Sequence, residues 1–508
     1  MVSTTKRLNR DFFNRLTALV GSRWFFAALV VLFVVEAAWI ALSGRYPMAF
    51  DENFHLGIIR LYAHHISPFW GGNPSGAGVY GPVARDPSYL YQWLMSFPYR
   101  LSSNIIFLRF INIGLFAAGL PLYRRLLLKT GASRALVHFC LALFVLVPIV
   151  PLLAAQINYD NLLLPLTAVI LLLTVNFTGE LSRSKRIDGK TLLILINLGL
   201  LASLVKYAFL PVLLAAAVYV ALVLCRTYPN FKKFWHGLGS GLGLMTRRTR
   251  WLLIILLIVS MGLFIQRYGV NLARYHKPVP SCDEVLSVQE CSAYAPWYRD
   301  YQYAQIKIPD TTTSPLVFGG DWFYGMWFRT FFAVDGPATD FATRGPFVLP
   351  GIGAIVFSLA ALGMTLACLR EVFNRYNRSV LWLFAGTIAF YEVALWLDEY
   401  RSFLQTGRPV AINGRYLLPI LPLLMVLLAL GANTFLGARN RLKLVLAAGA
   451  LVCLLSGGGT LTYILRSNDA WYWPDSPLKG TNHAIQNTVG PLVPGNSDPR
   501  AFMGHHGT

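Results

Sequence analysis

Charged side chains are scarce in this chain. Asp, Glu, Lys and Arg together make up 13% of its 508 residues, roughly half the share of a soluble globular protein. That scarcity excludes an ordinary water-facing surface over most of the length. Cysteine is sparse as well, six residues in all, at spacings that match no zinc pattern. Heptads, internal repeats and low-complexity tracts are missing, which sets aside coiled coils and solenoids. No small-residue cleavage motif follows the first apolar run, so that run is expected to be an uncleaved first helix rather than a signal peptide.

What the chain has instead is apolar sequence: 55% of it is hydrophobic. Apolar runs recur at residues 24–42, 104–122, 135–155, 161–177, 191–205, 209–225, 251–266, 347–369, 379–397, 417–435 and 444–465. A helix crosses a bilayer with about 20 apolar residues. Helices alone satisfy the backbone of such runs in lipid without a closed barrel. The pattern predicts an all-α polytopic membrane protein of about eleven transmembrane helices.

The charge balance orients that bundle. The net charge is +21. With the amino terminus cytoplasmic, the alternate segments on that side carry 25 of the 44 Lys and Arg but only the acids Asp11, Glu180, Asp188 and Glu371. The whole positive excess therefore falls on one side, as the positive-inside rule requires. The same distribution accounts for the basicity without nucleic acid, which is excluded as a partner. The expected division is a basic cytoplasmic tail over residues 1–23, a membrane domain over 24–466 with large outer loops at 43–103 and 267–346, and an outer, partly disordered carboxyl tail over 467–508. Cys282 and Cys291 share the second outer loop, where an oxidising compartment lets them pair. The aromatic stretch Asp321 to Phe332 resembles a helix lying in the membrane interface.

Ionisable residues near the outer ends of the spans are the candidates for chemistry, because charge in an apolar helix is costly. Phe50-Asp51-Glu52-Asn53-Phe54-His55 places two adjacent carboxylates where the chain leaves the first span. If a helix starts there, Asp51 and His55 share a face. The ordinary reading makes the acids helix caps; the functional reading makes one a general base. Asp86 precedes Pro87 and is read as either a cap or a second site carboxylate. Arg109 lies inside the second span at a depth similar to Glu36 in the first, and the ordinary reading pairs them. Lys206, at the turn between the fifth and sixth spans, either snorkels or faces the site; Glu392 in the ninth is a further candidate. Arg408 and Arg415-Tyr416 stand at the outer mouth of a late span, where a guanidinium is suited to gripping phosphate. The ordinary partners for Arg415 are Asp398, Glu399 or a lipid headgroup. Asn158, Tyr159 and Asp160, at the outer end of the third span, could join the same cleft.

The acidic pair in the first outer loop, the many helices and the large later loop together resemble the GT-C superfamily of membrane glycosyltransferases. Asp86-Pro87-Ser88-Tyr89-Leu90 is similar to the His-Pro-Pro-Leu-Tyr segment of that superfamily, with Asp and Ser in place of His and the second Pro. Leu108-Arg109-Phe110-Ile111-Asn112 resembles its Arg-bearing second helix, and Gly414-Arg415-Tyr416-Leu417-Leu418-Pro419 its Arg-Tyr-Leu-Pro segment. With Asp51-Glu52, His55 and Leu204-Val205-Lys206-Tyr207, the chain also resembles a large bacterial family of polytopic membrane proteins of this architecture. The resemblance runs from Arg45 to Leu421.

The resemblance implies an inverting transfer of a hexose or pentose from a polyprenyl-phosphate donor to a hydroxyl of a glycan, lipid or protein acceptor, on the outer face of the inner membrane. Asp51 would be the base, with Glu52 orienting it or substituting for it. Arg415, aided by Lys206 or Arg408, would neutralise the leaving phosphate. His55 and Asp86 would position the acceptor, and Arg109 and Tyr416 complete the expected substrate-binding set. Some members of the superfamily use a divalent metal; none is expected here. A lipid-linked-sugar flippase, a surface-polysaccharide polymerase or ligase, and a non-catalytic scaffold remain open at this point.

Overall fold

The computed structural model describes residues 2–48, 51–65, 83–306, 314–331, 348–408, 410, 412–455, 461–466 and 471–493. Among these residues the secondary structure is helical, with one isolated β-bridge between Gly44 and Tyr472. Where its residues are described, each expected span coincides with helical structure, but among the described residues fewer segments than eleven are long and apolar enough for a membrane crossing. Six described helices are long and apolar enough: Arg23–Ser43, Ile105–Leu128, Asp160–Ser184, Tyr207–Thr227, Arg247–Tyr275 and Arg378–Thr406. A bent pair, Ile355–Ala367 and Leu369–Arg375, meeting at 74°, makes up to seven. Arg134–Leu146, Gly189–Val205 and Leu421–Leu436 are apolar but shorter. The expected span at 135–155 is broken because Pro148 cannot donate to a continuing ladder. The chain turns at Val147 and resumes as the short Ile149–Ala154 helix.

Local chemistry sets where the helices begin. Ser22 accepts from Phe25 N at 3.0 Å, Asn104 from Phe107 N at 3.1 Å and Ser133 from Leu136 N at 3.3 Å, each as an N-cap that satisfies an orphan donor. Packing is tightest between Ile105–Leu128 and Asp160–Ser184, where Gly119 lets the two helices approach: a Cβ there would sit 3.0 Å from Leu164. One end of the bundle gathers Ser43, Arg109, Asp160, Lys206 and Arg415; the other gathers Val20, Arg124, Thr130, His138 and Asn377.

Two segments beyond the long apolar helices pack against the bundle. The Asp321–Phe332 stretch, described through Phe331, belongs to a Pro315–Phe331 helix docked on the bundle. Trp322, Trp327 and Phe331 are buried, Trp327 Nε1 donates to Ser358 Oγ at 3.0 Å, and Thr330 Oγ1 donates to Gly414 O at 3.5 Å. Only part of its surface, including Phe323 and Tyr324, is exposed. Residues 471–493 of the carboxyl tail pack back onto the bundle. Trp471 and Tyr472 are buried, Trp473 N donates to Ser43 O, and Asn482 in the Leu478–Val489 helix accepts from Trp39 Nε1 at 2.7 Å. Residues 494–508 lie outside the described residues. Cys282 and Cys291 form the expected disulfide.

Candidate functional site

The two adjacent acids have separate fates. The Glu52–His64 helix starts at Glu52, and Asp51 stands before it in the left-handed region at φ 65°. That backbone turn points the two side chains apart. Glu52 is buried and accepts four hydrogen bonds: Arg109 Nε at 2.9 Å, Arg109 Nη2 at 2.8 Å, Met48 N at 2.8 Å and Ile157 N at 3.2 Å. Arg109 is equally buried and spends its remaining nitrogen, Nη1, on Ala41 O at 2.9 Å and Gly44 O at 2.6 Å. Trp473 of the tail lies against its guanidinium at 5.9 Å. The expected Glu36–Arg109 pair does not form. Depth along the spans suggested it, but the start of the Glu52–His64 helix brings Glu52 to the arginine instead.

Asp51 occupies the N-cap position but makes no capping hydrogen bond, so the cap reading fails for it. Its Oδ2 instead lies 3.3 Å from Arg415 Nη2. The aspartate side chain is 40% exposed and the arginine 7%, so an open carboxylate leans on a buried cation. Arg415 sits in the short Gly414–Leu417 turn, where Asn413 Oδ1 accepts from its backbone N–H. It pairs with Asp51 rather than Asp398, which is exposed on the Arg378–Thr406 helix. Arg415 Nη2 is also 3.4 Å from Tyr416 Oη, and the guanidinium lies over the Tyr416 ring at 5.2 Å. The turn is pinned from below: Tyr391 Oη donates to Tyr416 O at 2.8 Å, and Tyr123 Oη to Pro419 O at 2.5 Å.

Lys206 belongs to the same cluster. It caps the end of Gly189–Val205, is buried, and binds Asp160 Oδ1 at 2.7 Å. Its ammonium lies over the rings of Tyr159 at 4.4 Å and Tyr416 at 4.9 Å. Burial pushes its pKa below the ordinary lysine value, with Asp160 pulling the other way. Asp160 and Tyr159 therefore join the cleft, as does Asn158, whose side chain accepts from Asp160 N.

His55 lies one turn along from Asp51 and is buried. The Gln92 amide oxygen accepts from its Nδ1 at 3.1 Å, and the Gln92 nitrogen donates to Ser88 O and Tyr89 O at 2.9 and 3.3 Å. The ring meets Tyr159 edge-on at 4.5 Å. Burial lowers the imidazole to about 4, against the opposing pull of Asp51. His55 is thus neutral at pH 7.

Of the two readings of Asp86, the cap does not form. The Leu90–Leu101 helix starts four residues later, and Asp86 Oδ1 accepts from Ser88 N at 2.8 Å in a local turn. Burial raises its pKa, with the Ser88 hydrogen bond working against the rise. Its loop is clamped by the Arg247–Tyr275 helix. There a π-turn at Ile265–Gly269 buries Arg267 against the Tyr89 ring at 4.6 Å, donating to Ala84 O at 2.6 Å and Val83 O at 3.1 Å. Among the described residues Arg408 stands apart from the Asp51–Arg415–Lys206 cluster; it stacks over Tyr303 at 4.4 Å on the large loop. Glu392 stays half-buried inside Arg378–Thr406.

Three site neighbours escaped the sequence reading. Tyr294, three residues past the disulfide, stacks on Phe54 at 4.6 Å and lies within electrostatic reach of Asp51, Asp86 and Arg415. Asn112, inside the second span, accepts from Tyr91 Oη at 2.7 Å and Asn161 Nδ2 at 3.0 Å, tying three elements below the cleft. Its polarity in an apolar helix was the available signal. Trp473 covers Arg109 from the tail and carried no motif at all. Among the described residues, no three His, Cys, Asp or Glu side chains group closely enough to hold a metal ion.

Comparison with protein-family models finds none that matches this chain, and comparison with curated proteins finds no match.

Proposed function

We propose that this chain is an integral membrane glycosyltransferase that uses a polyprenyl-phosphate sugar. The observation that supports this best is an open carboxylate, Asp51, set 3.3 Å from buried Arg415, with a second buried cation, Lys206, sharing the Tyr416 ring. A base and paired cations at the end of an apolar bundle suit a substrate with a lipid tail, a phosphate and a reacting hydroxyl. The resemblance to GT-C enzymes in the same residues points the same way.

In this reading Asp51 takes the proton of the acceptor hydroxyl. The oxygen forms its bond to the anomeric carbon from the face opposite the phosphate. The bond from that carbon to the phosphate oxygen breaks, and its electron pair leaves with the polyprenyl phosphate. Arg415 and Lys206 meet the charge that develops there. The donor phosphate competes with Asp51 for Arg415, so donor binding frees the carboxylate for the acceptor. Glu52 and Arg109 act beneath the site: they fix the turn that aims Asp51, and neither touches substrate. Neutral His55 and Asp86, with Tyr294 from the loop, line the acceptor side. The proposed topology has the amino terminus cytoplasmic, the shorter apolar helices also crossing, and the cleft on the outer face of the inner membrane.

The test is transfer by the full chain in proteoliposomes, supplied with labelled sugars on polyprenyl phosphate and a cell-envelope glycan fraction. Formation of a new glycosidic bond supports the reading. Movement of intact labelled lipid between leaflets without bond formation would replace it with a flippase.

A further inference from the structure

At the end of the bundle opposite Asp51, the helices Asp160–Ser184 and Arg378–Thr406 stand apart as two walls over a floor formed by Leu210–Thr227. Between them is a cavity of about 970 Å³. Its mouth carries Arg183 and Lys185 from the first wall, Arg226 from the floor and Arg378 from the second wall. Among the described residues no carboxylate lines it and none of these four cations is in an ion pair. Deeper in, the lining turns apolar, with Val218, Leu222, Trp382 and Phe390. Gly179 and Gly386 widen it: a Cβ at either position meets open space. Tyr219 Oη donates to Ser379 O at 2.9 Å and ties floor to wall beside the mouth.

Cations at the cytoplasmic ends of spans are expected from the positive-inside rule and from helix carboxyl-terminal dipoles, and by themselves they signify nothing. Here three separate elements aim them at one cavity that continues into an apolar slot. We propose that this cavity is a binding site for an anionic phospholipid, with the headgroup phosphate on Arg183, Lys185, Arg226 and Arg378 and an acyl chain along Val218, Leu222 and Phe390. Charge complementarity selects an anion, and the apolar slot selects one that carries hydrocarbon. The bound lipid cements the two walls, whose described contacts run through the floor helix. The inference rests on the bundle being membrane-embedded and not on sugar transfer.

The experiment is native mass spectrometry of the full chain in detergent, after delipidation and exposure to equal amounts of phosphatidylglycerol and phosphatidylcholine with the same acyl chains. The site predicts selective retention of phosphatidylglycerol. Removing two of the cations, as Arg226→Gln with Arg378→Gln, weakens that retention roughly thirtyfold. Gly386→Leu, which fills the slot and leaves every charge in place, weakens it as well. Millimolar inorganic phosphate does not displace the lipid. Equal retention of both lipids by the unaltered chain would overturn the proposal without relying on any variant. Displacement by inorganic phosphate, or full retention in Gly386→Leu, would overturn the lipid assignment in favour of a free anion.

Discussion

Exchanging each of two neighbouring acids for its amide should give opposite results. Glu52 accepts from Arg109 Nε, Arg109 Nη2, Met48 N and Ile157 N, two donors on each carboxylate oxygen. Glutamine has a single acceptor oxygen, so whichever way its amide turns, its NH2 faces two of those four donors. Arg109 then keeps a buried charge without its counterion, a loss of about 3–5 kcal/mol for breaking one partner of a buried pair. Asp51 is 40% exposed and its ion pair is a single 3.3 Å contact. A pair so open to solvent contributes at most about 1 kcal/mol. Reversible unfolding of the purified chain by SDS titration reads both. Glu52→Gln lowers the midpoint strongly, and Asp51→Asn leaves it within about 1 kcal/mol of the parent. If Glu52→Gln unfolds with the parent, Glu52 is not the keystone described here. If Asp51→Asn falls as far as Glu52→Gln, Asp51 is part of the same framework and is not held in reserve for chemistry.

Three further outcomes follow from the geometry. His55 is lowered to about 4 in the folded chain from an ordinary 6.5, so the unfolded chain binds the extra proton between those values; stability is full above pH 6.5 and falls as pH drops toward 4. His55→Gln flattens that dependence in the same unfolding assay. Replacing Cys282 and Cys291 together by Ser removes a closure across nine positions, worth about 2–3 kcal/mol locally; hydrogen exchange quickens over residues 281–294 while the bundle's unfolding is unchanged. Arg415→Lys keeps the charge but loses the planar fork, and sugar transfer drops by about tenfold or more with the fold intact.

The sequence made the apolar architecture legible because composition alone dictates it: among the described residues each hydrophobic run holds helix. It could not fix the number of crossings. Pro148 divides one run, and Gly189–Val205 and Leu421–Leu436 are shorter than the roughly 20 residues of a standard crossing. The site was legible where polarity was out of place. Asp51 and Arg415, 364 positions apart, meet, and Lys206 turns inward to Asp160 instead of snorkelling. Pairing was the weak point. Depth along a helix brought Glu36 level with Arg109, but the start of the Glu52–His64 helix, whose approach no spacing announces, supplied Glu52 instead. For the same reason Trp473 and Tyr294 stayed hidden: tertiary folding of a tail and a loop, rather than any local pattern, brings them to the site.

The most direct measurement compares the native chain with Asp51→Asn in proteoliposomes at matched protein levels, following both labelled sugar joined to acceptor and polyprenyl phosphate released. The account predicts that both products appear in equal amounts with the native chain and that both vanish with Asp51→Asn, while Asp51→Asn still unfolds like the parent. Undiminished transfer by Asp51→Asn would contradict it, because no carboxylate would then be needed where this one stands.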